Sequence, residues 1–499
     1  MVSSIKSNMT LIKKGSHFFI FLLFWLSQET YGQNLYPDSI QLTNAIHKLI
    51  KRYKTPDCAI LVTRSDSITF QFDNNPRNHN KNYYIGSCSK SFTALALLQL
   101  VDAGKVDLDT PITNYLPWFR LKDSNQSNKI SVRHLLNQTS GFKTADGFFD
   151  FDTSDQSLNG GKLAVWLQHC ELKWAPGTAF NYCNLNYTLA GLIISSITQE
   201  TYSSFLKKNI FSKIGMTRTY ASLEESKSGD LIQGYQNIFN LFTYPKRIVY
   251  SDFKVPEGYI NSNTRDLALY LQCVQDSCKT SNGDRLLSGN SYRQLITPLK
   301  DGYAMGWMSN HIKYVEAFDR KYKLSFIYHT GAIENFNAVM ALYPDQKTSI
   351  IILSNINSLE FSLEAMKTVL AEMNNDFYIS ENLTENILRN IFIVVFIMLI
   401  AGLFYNIQRW KKYQFQIGIT SMSSALIRLF AGLLLSITPL FIIPKINNIS
   451  LNKMADYFPD FAYGLIALSC IGIINSLIRY QASYAKKISK FQRSLPKSD

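Results

Sequence analysis

The stretch Ser87-Cys88-Ser89-Lys90-Ser91-Phe92-Thr93-Ala94-Leu95-Ala96-Leu97-Leu98-Gln99-Leu100-Val101 sets a serine and a lysine at the head of a nearly all-apolar helix. Gly104 follows as a good helix C-terminal cap. Residues i and i+3 share a helical face, so the Ser87 hydroxyl and the Lys90 ammonium are expected to be neighbours. A serine hydroxyl is a poor nucleophile until a neighbour takes its proton, and a desolvated lysine can do so. The spacing alone is weak, because Ser-x-x-Lys recurs at Ser140/Lys143, Ser204/Lys207 and Ser251/Lys254. Those copies read as solvated polar pairs. Ser87 differs because a buried helix begins at it, giving a rigid mount and an N-terminal dipole.

Two further motifs lie downstream. Pro176-Gly177-Thr178-Ala179-Phe180-Asn181-Tyr182-Cys183-Asn184 carries a Tyr-x-Asn whose phenol could relay a proton. A tyrosine in such a place more often packs half-buried. His329-Thr330-Gly331 comes directly after an expected strand, Leu324 to Tyr328. A lone histidine is usually structural, yet a glycine beside a strand permits close approach of a substrate.

Around these motifs the pattern is that of mixed helix and strand. Helical spacing runs from Asp38 to about Tyr53, and Cys58 to Thr63 with Ile68 to Phe72 read as a hairpin. Tyr303 to Met308, Leu324 to Tyr328, Asn337 to Leu342 and Thr348 to Leu353 read as strands, and Glu360 to Met373 as a closing helix. Strands at both ends with helices between them imply one sheet built from distant segments, hence one α/β domain over 34–376 and a linker over 377–386. Cys58, Cys88, Cys170, Cys183, Cys273 and Cys278 show no zinc or redox spacing and are expected as mostly free thiols. Cys273 and Cys278, five apart on an expected helix, should point to different faces.

The ends are apolar and basic. Lys13 and Lys14 precede nine apolar residues, Phe18 to Leu26, the order of an export signal ending near Gly32, so 1–33 reads as a signal peptide. Runs at 387–405, 425–443 and 461–478 each have the length of a membrane span, within a membrane domain over 387–499. The loop with Arg409, Lys411 and Lys412, and the tail from Arg479 to Lys497, place those segments in the cytoplasm and the 34–376 domain outside. Of the net charge of +14, only +2 lies in 34–386, which argues against a nucleic-acid partner and for a lipid bilayer.

Taken in order, Ser87-x-x-Lys90, Tyr182-Cys183-Asn184 and His329-Thr330-Gly331 resemble the serine β-lactamase and penicillin-binding family in its class C-like branch. Val132-Arg133-His134-Leu135-Leu136 through Thr139-Ser140-Gly141, and Tyr343-Pro344-Asp345, add to the likeness. It implies an α/β (α+β) fold: an antiparallel sheet with helices on its faces and an inserted helical region, followed here by three spans. It also implies an acyl-enzyme on Ser87, with Lys90 and Tyr182 sharing acid and base duty. Asn184, His329, Thr330, Gly331 and Ala332 would bind substrate, and the N–H groups of Ser87 and Ala332 would hold the oxyanion. No metal or organic cofactor is implied. His329 replaces the lysine of Lys-Thr-Gly, which weakens the expected grip on a substrate carboxylate.

The order of signal, hydrolase and spans is similar to the membrane peptidases that mature exported prodrugs, as in the colibactin pathway, by removing an N-acyl-D-asparagine cap. There an acidic residue stands three positions before the nucleophile; here that residue is Tyr84. The leading expectation is a membrane-tethered hydrolase of an amide in a small peptide-like or D-amino-acid substrate. An esterase, a weak β-lactamase or a catalytically idle penicillin-binding-like receptor are the alternatives.

Overall fold

The computed structural model describes residues 39–149, 161–226, 231–240, 242–248, 250–309, 325–374, 422–447, 450–457 and 459–494, with part of 394–408. Helix α1 (Ser39–Tyr53) buries Leu42, Ile46 and Leu49 along one stripe. The hairpin β1 (Cys58–Arg64) and β2 (Ser67–Asp73) follows, and then the short strand β3 (Tyr83–Tyr84). Helix α2 (Ser89–Asp102) is apolar all round and buried from Ser89 to Leu98, as a central core helix must be. Helix α3 (Leu185–Thr198) starts just after Asn184.

A small hairpin, β4 (Tyr235–Ile238) and β5 (Phe242–Pro245), precedes β6 (Asn261–Ser262), which pairs with β3. Helix α4 (Thr264–Gln275) is capped by the Asn263 side chain. The last strands are β7 (Met308–Ser309), β8 (Ile327–Ile333), β9 (Phe336–Tyr343) and β10 (Thr348–Ser354), and α5 (Leu359–Met373) closes the unit.

The main sheet has the order β2-β1-β10-β9-β8-β7, with neighbours antiparallel. Strand β1 therefore finds its partner nearly three hundred residues away, with Cys58 opposite Ser354. Strands β9 and β10 are buried on both faces. One face packs Ile60, Val62, Ile350 and Ile352 against α1 and α5, and the other packs Leu61, Met340 and Leu353 into the core that holds α2.

Three expectations need correction. Of the strand expected over 303–308, only Met308 joins the sheet, because Gly302 and Gly306 adopt positive φ and turn the chain. Strand β8 does not stop at Tyr328; it runs through His329-Thr330-Gly331 to Ile333, because β9 offers a ladder partner along its whole length. Cys273 and Cys278 do not face apart. Helix α4 ends at Gln275, Ser277 and Cys278 take positive φ, the Cys278 N–H donates to the Cys273 carbonyl at 2.7 Å, and the two thiols are neighbours. Both thiols are free, as are those of the other cysteines.

At the C-terminal end, α6 (Met422–Asn447), α7 (Leu451–Tyr457) and α8 (Pro459–Ser494) follow. Two helices are long and apolar enough to cross a membrane, over Leu426–Lys445 and Pro459–Gln481. They correspond to the second and third expected spans. The first, 387–405, lies largely outside the described residues; those described between Val394 and Gln408 are helical. The expected signal peptide and the 377–386 linker lie outside them as well. Helices α6 and α8 meet at small residues, Gly432 against Ser476 and Gly472 against Ser436, a packing suited to an apolar medium.

The hairpin β4–β5 docks on the turn between α7 and α8. Gln236 Nε2 donates to the carbonyls of Ala455 (3.1 Å) and Asp456 (2.7 Å), and Lys246 pairs with Asp456 at 2.7 Å. Replacing Ile352, fully buried on β10, with alanine should cost about 2–5 kcal/mol, read as a lowered unfolding midpoint of the detergent-solubilised protein.

Candidate active site

Ser87 sits in a single 3-10 turn, Gly86–Cys88, that runs directly into α2. Its hydroxyl is partly exposed, whereas Lys90, one turn on, is wholly buried. The Lys90 ammonium donates to Ser87 Oγ at 3.0 Å, to Asn184 Oδ1 at 2.8 Å and to the Glu257 carbonyl at 2.6 Å. These three acceptors use its three protons. It also lies over the rings of Tyr182 and Tyr187, 5.0 and 5.6 Å from their centroids. Burial disfavours the charged form and pulls this lysine down to about 8, against the opposing pull of the Glu257 carboxylate.

Tyr182 comes from the loop that precedes α3 and turns its phenol toward Ser87. Burial, and then the neighbouring Tyr303, push that phenol well above its ordinary value, while Ser87 opposes the push. The hydroxyl is therefore a proton donor at neutral pH.

The third motif arrives on β8. His329 is fully buried, its ring 6.2 Å from Tyr182 and 6.1 Å from Tyr303. Nδ1 lies 2.6 Å from the Thr330 carbonyl oxygen, which assigns the proton to Nδ1. Burial first, and then the charge of Lys90, push the imidazole down to about 3, so it is neutral. Its ring lies beside the two tyrosine rings, and Nε2 is buried without a hydrogen-bond partner. Thr330 is half-buried and Ala332 exposed, on the strand edge beside Ser87.

Two glycines let β8 lie against the serine turn. A side chain at Gly331 would place its Cβ 1.9 Å from the Ile85 carbonyl oxygen. One at Gly86, where φ is +54°, would stand 2.4 Å from the Ala332 nitrogen. The main chains of the two segments are thus in direct contact, and Cys88 Sγ donates to the His329 carbonyl at 3.2 Å. Tyr84 is 1 % exposed and packs against Tyr250, Tyr259 and Phe336, so it is a core residue and not a substrate contact.

The structure gathers the three motifs, separated by up to some 240 residues, into one site. Sequence reading missed Glu257, Gly86 and the supporting Ser89, whose Oγ accepts from the Ile260 N–H at 3.2 Å. Nothing in their local sequence marks them, since their roles depend on segments far along the chain. Among the described residues no cluster has the make-up of a metal site.

The family model "Beta-lactamase" matches residues 42–374, two thirds of the chain. The chain belongs to that family. It is 28% identical over 283 residues to protein flp of Staphylococcus aureus (strain MRSA252), an alignment that covers 55% of this chain and 53% of flp. The chain thus spans about half the length of the curated relatives it matches first. Among solved structures it resembles a D-stereospecific amidohydrolase from Streptomyces sp. (TM-score 0.55, 20% identity, 68% of this chain and 100% of that one). A class C beta-lactamase is similar at a TM-score of 0.54, with 18% identity over 69% of this chain and 98% of that one. At these identities the likeness is one of fold.

Gly331→Ala should push β8 away from the serine turn, with labelling of Ser87 by a fluorophosphonate falling about 10²-fold while the far-ultraviolet circular dichroism is retained.

Proposed function

We propose that the protein is a membrane-anchored serine hydrolase that cleaves an amide bond of a small peptide-like or D-amino-acid substrate outside the membrane. The observation that carries this reading is the 3.0 Å contact between the buried Lys90 ammonium and the partly exposed Ser87 hydroxyl. A lysine held at about 8 is neutral in roughly one molecule in ten at pH 7, against fewer than one in a thousand for an unshifted side chain. In that neutral form it takes the Ser87 proton as Oγ attacks the carbonyl. The oxyanion is held by the N–H groups of Ser87 and Ala332, which the contact between β8 and the serine turn supports. Tyr182, protonated at neutral pH, passes its proton to the leaving nitrogen and is restored by the proton that Lys90 took from Ser87. Lys90, neutral again, takes a proton from the water that then releases the acyl group and returns it to Ser87 Oγ. Asn184 orients Lys90 through Oδ1 and has its amide NH₂ for a substrate carbonyl. Thr330 and Gly331 line the strand edge along which an extended substrate would lie.

Anchoring rests on the two long apolar helices, and the outside placement of the domain on the basic loop and tail. An esterase or weak β-lactamase activity is the second reading, favoured by the neutral His329, which offers no cation to a substrate carboxylate. The burial of Tyr84 weighs against a D-asparaginyl prodrug cap as the substrate, since that position holds no acidic group and faces the core.

Fluorophosphonate or fluorescent penicillin should label the wild type and not Ser87→Ala; equal labelling of both would sink the reading. Lys90→Met should lower the labelling rate by 10²–10⁴-fold. In the wild type the rate should climb as pH rises through about 8 and level off above it, because the neutral amine is the reactive form. A chromogenic cephalosporin, short-chain esters and D-amino-acid amides, assayed side by side, separate the two readings.

A further inference from the structure

Resting on the reading of Ser87 and Lys90 as nucleophile and base, we infer that the Glu257 carboxylate is a positioning residue that sets how readily Lys90 gives up its proton. Glu257 stands in one widened helical turn, Val255–Tyr259, a form of helix common at functional sites. Its main-chain carbonyl accepts from Lys90 at 2.6 Å, so the residue is fixed against the ammonium. Its side chain is 3 % exposed, and Oε2 accepts from Thr188 Oγ1 on α3 at 2.7 Å. The preceding carbonyl, of Pro256, accepts from Thr93 Oγ1 on α2 at 2.7 Å. Both helices that frame the cleft thus hold this turn in place.

The carboxylate acts through space, since the main chain makes the direct contact. Burial pushes the Glu257 carboxyl above its ordinary value, and Lys254 and then Lys90 oppose that push. As a carboxylate in a dry interior it favours the ammonium and opposes the burial that favours the amine. The other groups around the pair are accounted for. Lys254, over the Phe149 ring at 5.2 Å, is a second cation facing Glu257. Glu334 is engaged by the Tyr259 hydroxyl at 3.0 and 3.1 Å. Cys88 and Cys183 are buried thiols pushed upward by burial, Tyr182 is a protonated phenol and His329 a neutral imidazole. Among these groups Glu257 is the carboxylate whose own main chain is bonded to the Lys90 ammonium. A carboxylate here keeps the lysine protonated, and bound to its three acceptors, until substrate arrives; a neutral residue would leave it a base at lower pH.

The test uses the full chain in detergent micelles and the rate of Ser87-dependent labelling by a fluorophosphonate between pH 6 and 10. Glu257→Gln keeps the shape and the bond from Thr188 but removes the charge. Its rising limb should move about one unit toward lower pH. Glu257→Asp, which keeps the charge, should hold the limb above that of Gln. If Gln does not fold, Glu257→Ser supplies a second neutral side chain with the same expected shift. A limb unmoved in the neutral variants, or a lower plateau with no shift, overturns the inference while leaving the nucleophile and base intact. Labelling of the wild type that does not depend on Ser87 overturns the reading of the site and the inference with it.

Discussion

A lysine ammonium with no exposure to water is the constraint around which this candidate site is arranged. Taking such a charge out of water costs several kcal/mol unless its protons are met. Here each proton has its own acceptor, and each acceptor comes from a different segment: Ser87 from the serine turn, Asn184 from the head of α3 and Glu257 from the widened turn before β6. The ammonium therefore ties together three stretches that share no local sequence logic. The same burial that makes it costly also lowers its proton affinity, so one physical fact both organises the cleft and arms it.

The second requirement is close approach. A strand segment that is to offer main-chain N–H groups to a substrate must lie beside the nucleophile, and any side chain between them would hold it off. In β8 this is the part beyond its short pairing with β7. Gly86 and Gly331 face each other where β8 touches the serine turn, with no room for a Cβ on either side. The sheet then carries the load. Strand β8 is registered on β9, and β9 on β10, whose own partner is β1 from the opposite end of the domain.

The β-lactamase-family domain is also fastened to the C-terminal helices. The hairpin β4–β5 meets the α7–α8 turn through Gln236 and through the ion pair of Lys246 with Asp456. The Lys246 carbonyl in turn accepts from Asn335 Nδ2 at 2.6 Å, at the turn that joins β8 to β9. The end of the cleft-lining strand is thus two contacts from the head of a long apolar helix.

Much of this was legible in the sequence. Helical spacing marked α1 and α5, and short β-rich apolar runs marked the hairpin β1–β2 and the strands β9 and β10, nearly to the residue. Three motifs in order pointed to Ser87, Lys90, Tyr182, Asn184 and the His329-Thr330-Gly331 strand. What failed was decided elsewhere along the chain. Strand β8 extends past Tyr328 because β9 pairs with it, the 303–308 segment turns because of its glycines, and Cys278 comes back to Cys273 because α4 stops short. The sequence by itself determined the chemical types, since a Ser-x-x-Lys at the head of an apolar helix, followed by the two later motifs, names the hydroxyl, amine and phenol that the fold brings together. Only the tertiary structure decided how strongly, because the proton affinity of Lys90 depends on its dryness and on a Glu257 carboxylate brought from 167 residues away.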